Sequence, residues 1–343
     1  MLKNVRLVRT PSVRMLSARM LSARMLWTAA WALALLSPLA VSAQDYDSDS
    51  MSTFSIIARD PATGELGSGF QSKAFAGGNR ISGARSGVGV IAHQAVSNPM
   101  YSYLGLPLLE AGLSPQEALD QIVQGDEGRA RRQVAILSMD GRSASWTGPN
   151  CTDWKGHHCG ANYCAQGNTL AGPEVLAAMM KTFESLTASG GVPLAERILA
   201  ALDAAQAAGG DWRGMQSAAL LIVKPRAGAS GFSDHAIDLR VDDNRQPLAE
   251  LRRLLDIHRS GELISQANTR FQAGDYNAAL ERALAARDKS PQNDNAWTML
   301  GAIYIKMNRM ADAKAAVARA IELNPAREYS LTRDPNFDAF YRQ

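Results

Sequence analysis

The sequence predicts an α+β fold, two β-sheets packed face to face with helices outside, followed by a separate all-α module. Three observations carry this. Short β-branched and apolar runs bounded by turn residues fill residues 54–95 and recur at 133–146 and 217–241. Two alanine- and leucine-rich helical stretches lie between the later groups, at 173–186 and 193–208. Beyond about Arg259 the pattern changes to one that repeats every 34 residues. Strands, then helices, then strands suit two stacked sheets with helices on their outer faces. A fixed period of this length suits stacked helical hairpins. Roughly three hundred residues after the leader are enough for two cores.

The chain opens with Lys3, Arg6, Arg9, Arg14, Arg19 and Arg24 and no acid, followed by an apolar run from Leu26 to Val41 that ends in Val41-Ser42-Ala43. This is the pattern of a secretory signal peptide over 1–43, cut at Ala43/Gln44, with an uncleaved anchor as the weaker reading. Met15, Met20 and Met25 sit in repeated Arg-Met-Leu units, which leaves the start codon open. A periplasmic or secreted location follows, with no stable membrane span after cleavage. The whole chain carries +3, and the six basic residues of the leader account for more than that, so the remainder is near −3. A mildly acidic protein without a basic patch is a poor nucleic-acid binder. Residues 44–52 read as a polar, acidic spacer or propeptide.

Thr53 to Lys73 forms the first hairpin: Phe54 to Arg59, a turn at Asp60-Pro61-Ala62-Thr63-Gly64, and a return from Leu66 to Gln71. Gly87 to Ala95 reads as a third, buried strand. Ser114-Pro115-Gln116-Glu117 supplies the cap, first-turn proline and acid that open a helix to about Val123. Gln133–Ser138 and Ser143–Trp146 flank the turn pair Asp140-Gly141. Ala165–Asn168 follows, then the two helices, which stop at Gly190-Gly191 and Gly209-Gly210. Strands at Ser217–Val223 and Asp238–Val241 precede a helix from Pro247 to about His258.

Thr53 is the residue with the most chemistry. A cut before it would place a hydroxyl nucleophile and a free α-amine, with an ordinary pKa of about 7.7–8, on one residue. That is the self-contained machinery of an N-terminal-nucleophile (Ntn) hydrolase. The sequence has no GxSxG elbow, HExxH or phosphate-binding loop, so serine-hydrolase, zincin and nucleotide-triphosphatase readings lack their signatures.

Several runs in order carry a resemblance: TFSIIARD and TGELG, QSK, ARSGVGVIAHQA, AQGN with LAGPEV, QSAALLIV, and LRVDD with ELRRLL. Together they resemble the DUF1028 family over about 53–260. The resemblance implies a four-layer αββα Ntn-hydrolase-like sandwich. It also implies a nucleophile at Thr53, favoured over Ser52, and Lys73 as the cation that keeps the α-amine neutral. Asn168 and Gln166 would present amide donors to a carbonyl or oxyanion, and Arg85, Gln94 and Asn98 would line the same cleft. Turn-capping is the competing role for Asn98. No metal and no cofactor are implied.

Cys151, Cys159 and Cys164 lie close to His157 and His158. Without a CxxC pair in an exported chain, one disulfide and a leftover thiol are expected ahead of free thiols or a metal site. Spacing leaves the pairing open, and Cys159–Cys164 is taken only as a guess.

In the C-terminal region Ala267 recurs as Gly301, Ala279 as Ala313, Ala286 as Ala320 and Pro291 as Pro325. These look like two tetratricopeptide (TPR)-like repeats over 261–343. Two are fewer than a free-standing array needs, so they are expected to dock on the preceding helix, be capped by Pro335–Tyr341, or self-associate. The sequence therefore reads as an exported amide-bond hydrolase acting on a small amide, peptide or cell-wall-derived compound. The alternative is a catalytically inactive adaptor whose repeats hold a protein partner.

Overall fold

The computed structural model describes residues 50, 51, 53–226 and 234–342. The leader, its cleavage point, most of the spacer and Ser52 lie outside the described residues. Eleven strands are described: β1 Ser50–Met51, β2 Thr53–Arg59, β3 Leu66–Ser72, β4 Ser82–Arg85, β5 Gly89–Val96, β6 Arg132–Ser138, β7 Ser143–Thr147, β8 Gly156–Gly160, β9 Tyr163–Gly167, β10 Ser217–Val223 and β11 His235–Val241. They make two antiparallel sheets. One has the order β11-β10-β3-β2-β9-β8; the other runs β1-β5-β6-β7, with β4 also on β5.

Strand alternation sorts the side chains into layers. From β2, Phe54, Ile56 and Ala58 pack outward against helices α3 (Glu174–Ser189), α4 (Leu194–Ala207) and the start of α5 (Pro247–Gln272), with Met179, Phe183, Ile198 and Leu251 in the same cluster. Ile57 points the other way and meets Val90, Ala135 and Leu137 of the opposite sheet. The outer face of that sheet, with Ile91, Val134 and Ile136, is covered by α1 (Met100–Glu110) and α2 (Pro115–Gln124). The result is the four-layer αββα arrangement. Gly67 and Gly69 of β3 are packing glycines, since a Cβ on Gly69 would stand 2.4 Å from Ile198 Cγ2.

The expected elements recur with small shifts. Helix α2 begins with the Ser114–Glu117 capping box and Pro115 in its first turn. Helix α1 has no counterpart in the sequence reading. Its stretch contains Gly105 and Pro107, both poor helix interiors. Gly105 is there because α1 lies against β5, where a Cβ would approach Ile91 Cδ1 to 2.6 Å.

Helix α5 runs unbroken through residue 260, so the boundary expected at 260/261 falls inside a helix. The C-terminal region continues with α6 (Tyr276–Lys289), α7 (Asp294–Lys306), α8 (Met310–Leu323), α9 (Ala326–Leu331) and α10 (Asp338–Tyr341). The period-34 alanines Ala267, Ala279, Ala286, Ala313 and Ala320 are fully buried where these helices cross. Phe337, from the short turn before α10, is buried in the same cluster, its ring against Gly301. The repeats are thus continuous with the preceding helix and closed by the tail.

Candidate active site

Thr53 opens β2, which lies between β3 and β9 inside the six-stranded sheet, and its partner across β3 is Ser72. Two residues upstream, Met51 stands opposite Ala95 in the other sheet, so the chain crosses from one sheet to the other between Met51 and Thr53. Thr53 is fully buried. Its hydroxyl donates to Ser72 Oγ at 3.0 Å. Its carbonyl accepts from the Asn168 backbone N–H at 3.0 Å and from Gln94 Nε2 at 2.9 Å.

Around this residue the inter-sheet layer is polar, in contrast to the apolar packing around Ile57. Gln94, from β5, accepts from Ser55 Oγ at 2.6 Å and gives its second proton to Gln133 Oε1 at 2.7 Å. Asn168 Nδ2 also donates to Gln133 Oε1, at 3.1 Å. Gln133 Nε2 in turn reaches Gly167 O at 2.9 Å, Gly156 O at 3.0 Å and Thr147 Oγ1 at 2.9 Å. Gln166 Nε2 bonds Ala92 O at 3.2 Å and Ser55 Oγ at 3.4 Å. Buried polar groups in such number are tolerable because nearly all are paired; the buried Gln166 Oε1 is an exception. The arrangement fixes both strands that flank Thr53 and holds its main chain from two sides.

The model of a family of unknown function, DUF1028, matches residues 53–251, so the match begins at Thr53 itself. The chain belongs to the DUF1028 family. A tetratricopeptide repeat model matches residues 270–332. The DUF1028 chain is also similar to the crystal structure of protein SPO2555 from Silicibacter pomeroyi, another DUF1028 protein. The two share 32% identity and a TM-score of 0.54, over 60% of this chain and 85% of that one. No curated protein matches.

Of the residues singled out from the DUF1028 motifs, the structure gathers Thr53, Gln94, Gln166 and Asn168 into one network. Lys73 follows Ser72 directly and donates from Nζ to Met215 O at 3.4 Å, at the same end of the sheet. Arg85 is not brought to the cluster. It stands opposite Gly89 at the turn of the β4–β5 hairpin, ion-paired with Glu110. Five residues along β5 separate Gly89 from Gln94, about 17 Å at the usual rise per residue. Asn98 also lies elsewhere: its Oδ1 caps Met100 N–H at 3.1 Å and its Nδ2 donates to Asp126 at 3.1 Å. Burial raises the Asp126 carboxyl, but the donors Arg132, Asn98, Tyr101 and the Gly128 N–H outweigh this and hold it well below the usual carboxylate range.

Ser55, Ser72 and Gln133 were missed. For Gln133 a signal existed: in RQVAILS it shares the inward face with Ala135 and Leu137, and a glutamine on such a face needs partners.

Cys159 and Cys164 face each other across the β8–β9 pair and form the disulfide; Cys151 is free and buried, its thiol pushed up by burial. His157 Nδ1 shares a hydrogen bond with Thr147 Oγ1 at 2.8 Å. Among the described residues no three His, Cys, Asp or Glu side chains converge to hold a metal ion.

His93, on the helix-facing side of β5, gives the DUF1028 domain a pH-sensitive point. Burial pulls its pKa down from 6.5 to about 4, and Ser97 Oγ sits 2.8 Å from Nδ1. The unfolded chain takes up this proton first, so stability is intact above about pH 6.5 and is lost as pH falls toward 4. The loss expected over that window is about 2–4 kcal/mol. Urea titrations of the wild type and His93→Gln at pH 7 and pH 4.5 check it, since the variant should lose this part of the acid dependence.

Proposed function

We propose that the protein is an exported Ntn-type hydrolase that cleaves an amide bond in a small amide, a peptide or a cell-wall-derived compound, with Thr53 as nucleophile. The observation that carries this is the place of Thr53: first residue of a central strand, between the sheets, with its hydroxyl on Ser72. In the uncut chain the Thr53 nitrogen is an amide. Cleavage after residue 52 makes it an amine able to accept a proton near neutral pH.

The amine then takes the hydroxyl proton while Oγ1 attacks the acyl carbon. Collapse of the adduct breaks the C–N bond, the leaving amine receives the proton, and an ester on Thr53 remains. Water hydrolyses that ester, yielding the carboxylic acid and the original hydroxyl. Ser72 aims the hydroxyl, while Gln94 and Asn168 fix the residue that carries it. Lys73, next to Ser72 in the chain, is the candidate for the cation that would favour the neutral amine. Export is supported by the leader pattern and by a disulfide, a bond that persists in oxidising compartments.

The repeat match favours a second reading, a catalytically silent adaptor. Helices α5 and α7 and the tail enclose a groove of about 400 Å³ whose lining includes Asn268, Asn295 and Asn336, a surface suited to a protein partner. Among the described residues no helix is long and apolar enough to cross a membrane.

The N-terminal residue and intact mass of the exported protein discriminate the readings. A chain beginning at Thr53 is expected. A chain beginning at Gln44 removes the free-amine mechanism and leaves the adaptor reading.

A further inference from the structure

One edge of β5 serves two partners in succession. β4 covers it from Gly89 to Ala92, and just beyond, the His93 N–H donates to Ile81 O at 2.7 Å. From there β1 takes over, with Met51 opposite Ala95 and Ser50 opposite Val96. Peptide groups along a strand alternate between its two edges, which turns the Ala95 N–H to the same edge as that of His93; at Ala95 itself φ is +66°, so the alternation stops there. The Val96 carbonyl accepts from Arg132 Nη1 at 2.6 Å. Arg132 is anchored in turn by Asp126 at 2.9 Å. The end of β5 is therefore held by the folded domain and not by β1.

The segment on this edge is the one that leads into Thr53. A cut before Thr53 separates Ser50–Met51 from the chain, so the edge at Ala95–Val96 becomes available beside the new N-terminus. What lay there before the cut was the acyl side of the bond that Thr53 must lose.

We infer that this edge is the acyl-side subsite of the enzyme, and that the substrate is an extended peptide that adds to β5 as Ser50–Met51 do. The inference rests on Thr53 being the nucleophile. The residue after the Met51 position then carries the carbonyl attacked by Thr53 Oγ1. Its C–N bond breaks, the departing amine keeps the proton relayed from the hydroxyl, and the peptide acyl group stays on Oγ1 until water releases it as a carboxylate. Recognition through main-chain groups requires several residues on the acyl side, which narrows the substrate class from amides in general to peptides. Met51 and Ser50, opposite Ala95 and Val96, are the positions that pair with the edge.

The test uses the exported protein and two fluorescein-labelled peptides with the sequence of residues 45–52: unmodified, and N-methylated at both Ser50 and Met51. Intact mass of the same sample is read first, then binding by fluorescence polarisation. A chain beginning at Thr53 that binds the unmodified peptide about tenfold more tightly than the methylated one is the expected result. The same chain binding both alike, or neither, overturns the subsite and leaves Thr53 as nucleophile. A chain that keeps residues before Thr53 overturns both, because the edge is then never vacated.

Discussion

Replacing Thr53 with alanine should leave the residues before it attached and lower amide hydrolysis by at least about 10⁴-fold, the scale seen when a covalent nucleophile is removed. Thr53→Ser should be processed and stay within roughly tenfold of the wild type, because the hydroxyl and the amine are both retained. The alanine variant also loses the bond to Ser72, a neutral pair worth about 1 kcal/mol, so it should fold. Urea unfolding reports the fold, and intact mass with turnover of a peptide amide reports the chemistry. If Thr53→Ala is cut and turns over as the wild type does, the nucleophile lies elsewhere. A folded but inert alanine variant beside an active serine variant would separate the hydroxyl's chemical role from its part in packing.

Local patterns gave the sequence reading most of its elements. The β2–β3 hairpin, the capped helix α2, the strand Ser217–Val223 and the alanine positions of the repeats each depend on residues close in the chain, and they are found where expected. What failed was non-local. Helix α1 forms because its Gly105 lets it lie on β5, a contact that cannot be read from a stretch holding Gly and Pro. Arg85 and Gln94 sit in one motif, yet antiparallel pairing puts the first at a hairpin turn and the second beside Thr53. Adjacency in a motif fixes distance along the chain, and a strand converts that distance into separation. The partners of Gln133 became visible only when the sheets were stacked, since Gln94 and Asn168 come from segments far away in sequence.

Gln133→Leu should cost about 3–5 kcal/mol, near the top of the range for one substitution. The side chain is fully buried and similar in size to leucine, so the loss comes from hydrogen bonding and not from a cavity. Without its Oε1, the donors of Gln94 and Asn168 lose their shared acceptor; without its Nε2, Gly167 O and Gly156 O lose a donor. Each stranded buried group costs about 1–3 kcal/mol, and neighbouring losses are not additive. Gln166→Leu provides the comparison. Its Oε1 has no partner, and its Nε2 makes bonds of 3.2 and 3.4 Å, so about 1 kcal/mol is expected. The urea midpoints of the two variants, at unchanged slope, should therefore differ clearly. Equal midpoints would mean that Gln133 is not the hub of the network. The same substitution bears on chemistry, because Gln94 spends one proton on Gln133 and the other on the Thr53 carbonyl. With Gln133 gone, one Nε2 proton of Gln94 loses its acceptor and the side chain keeps only Ser55 and the Thr53 carbonyl, so Thr53 is held less firmly, and cleavage before Thr53 should slow even in the fraction that remains folded.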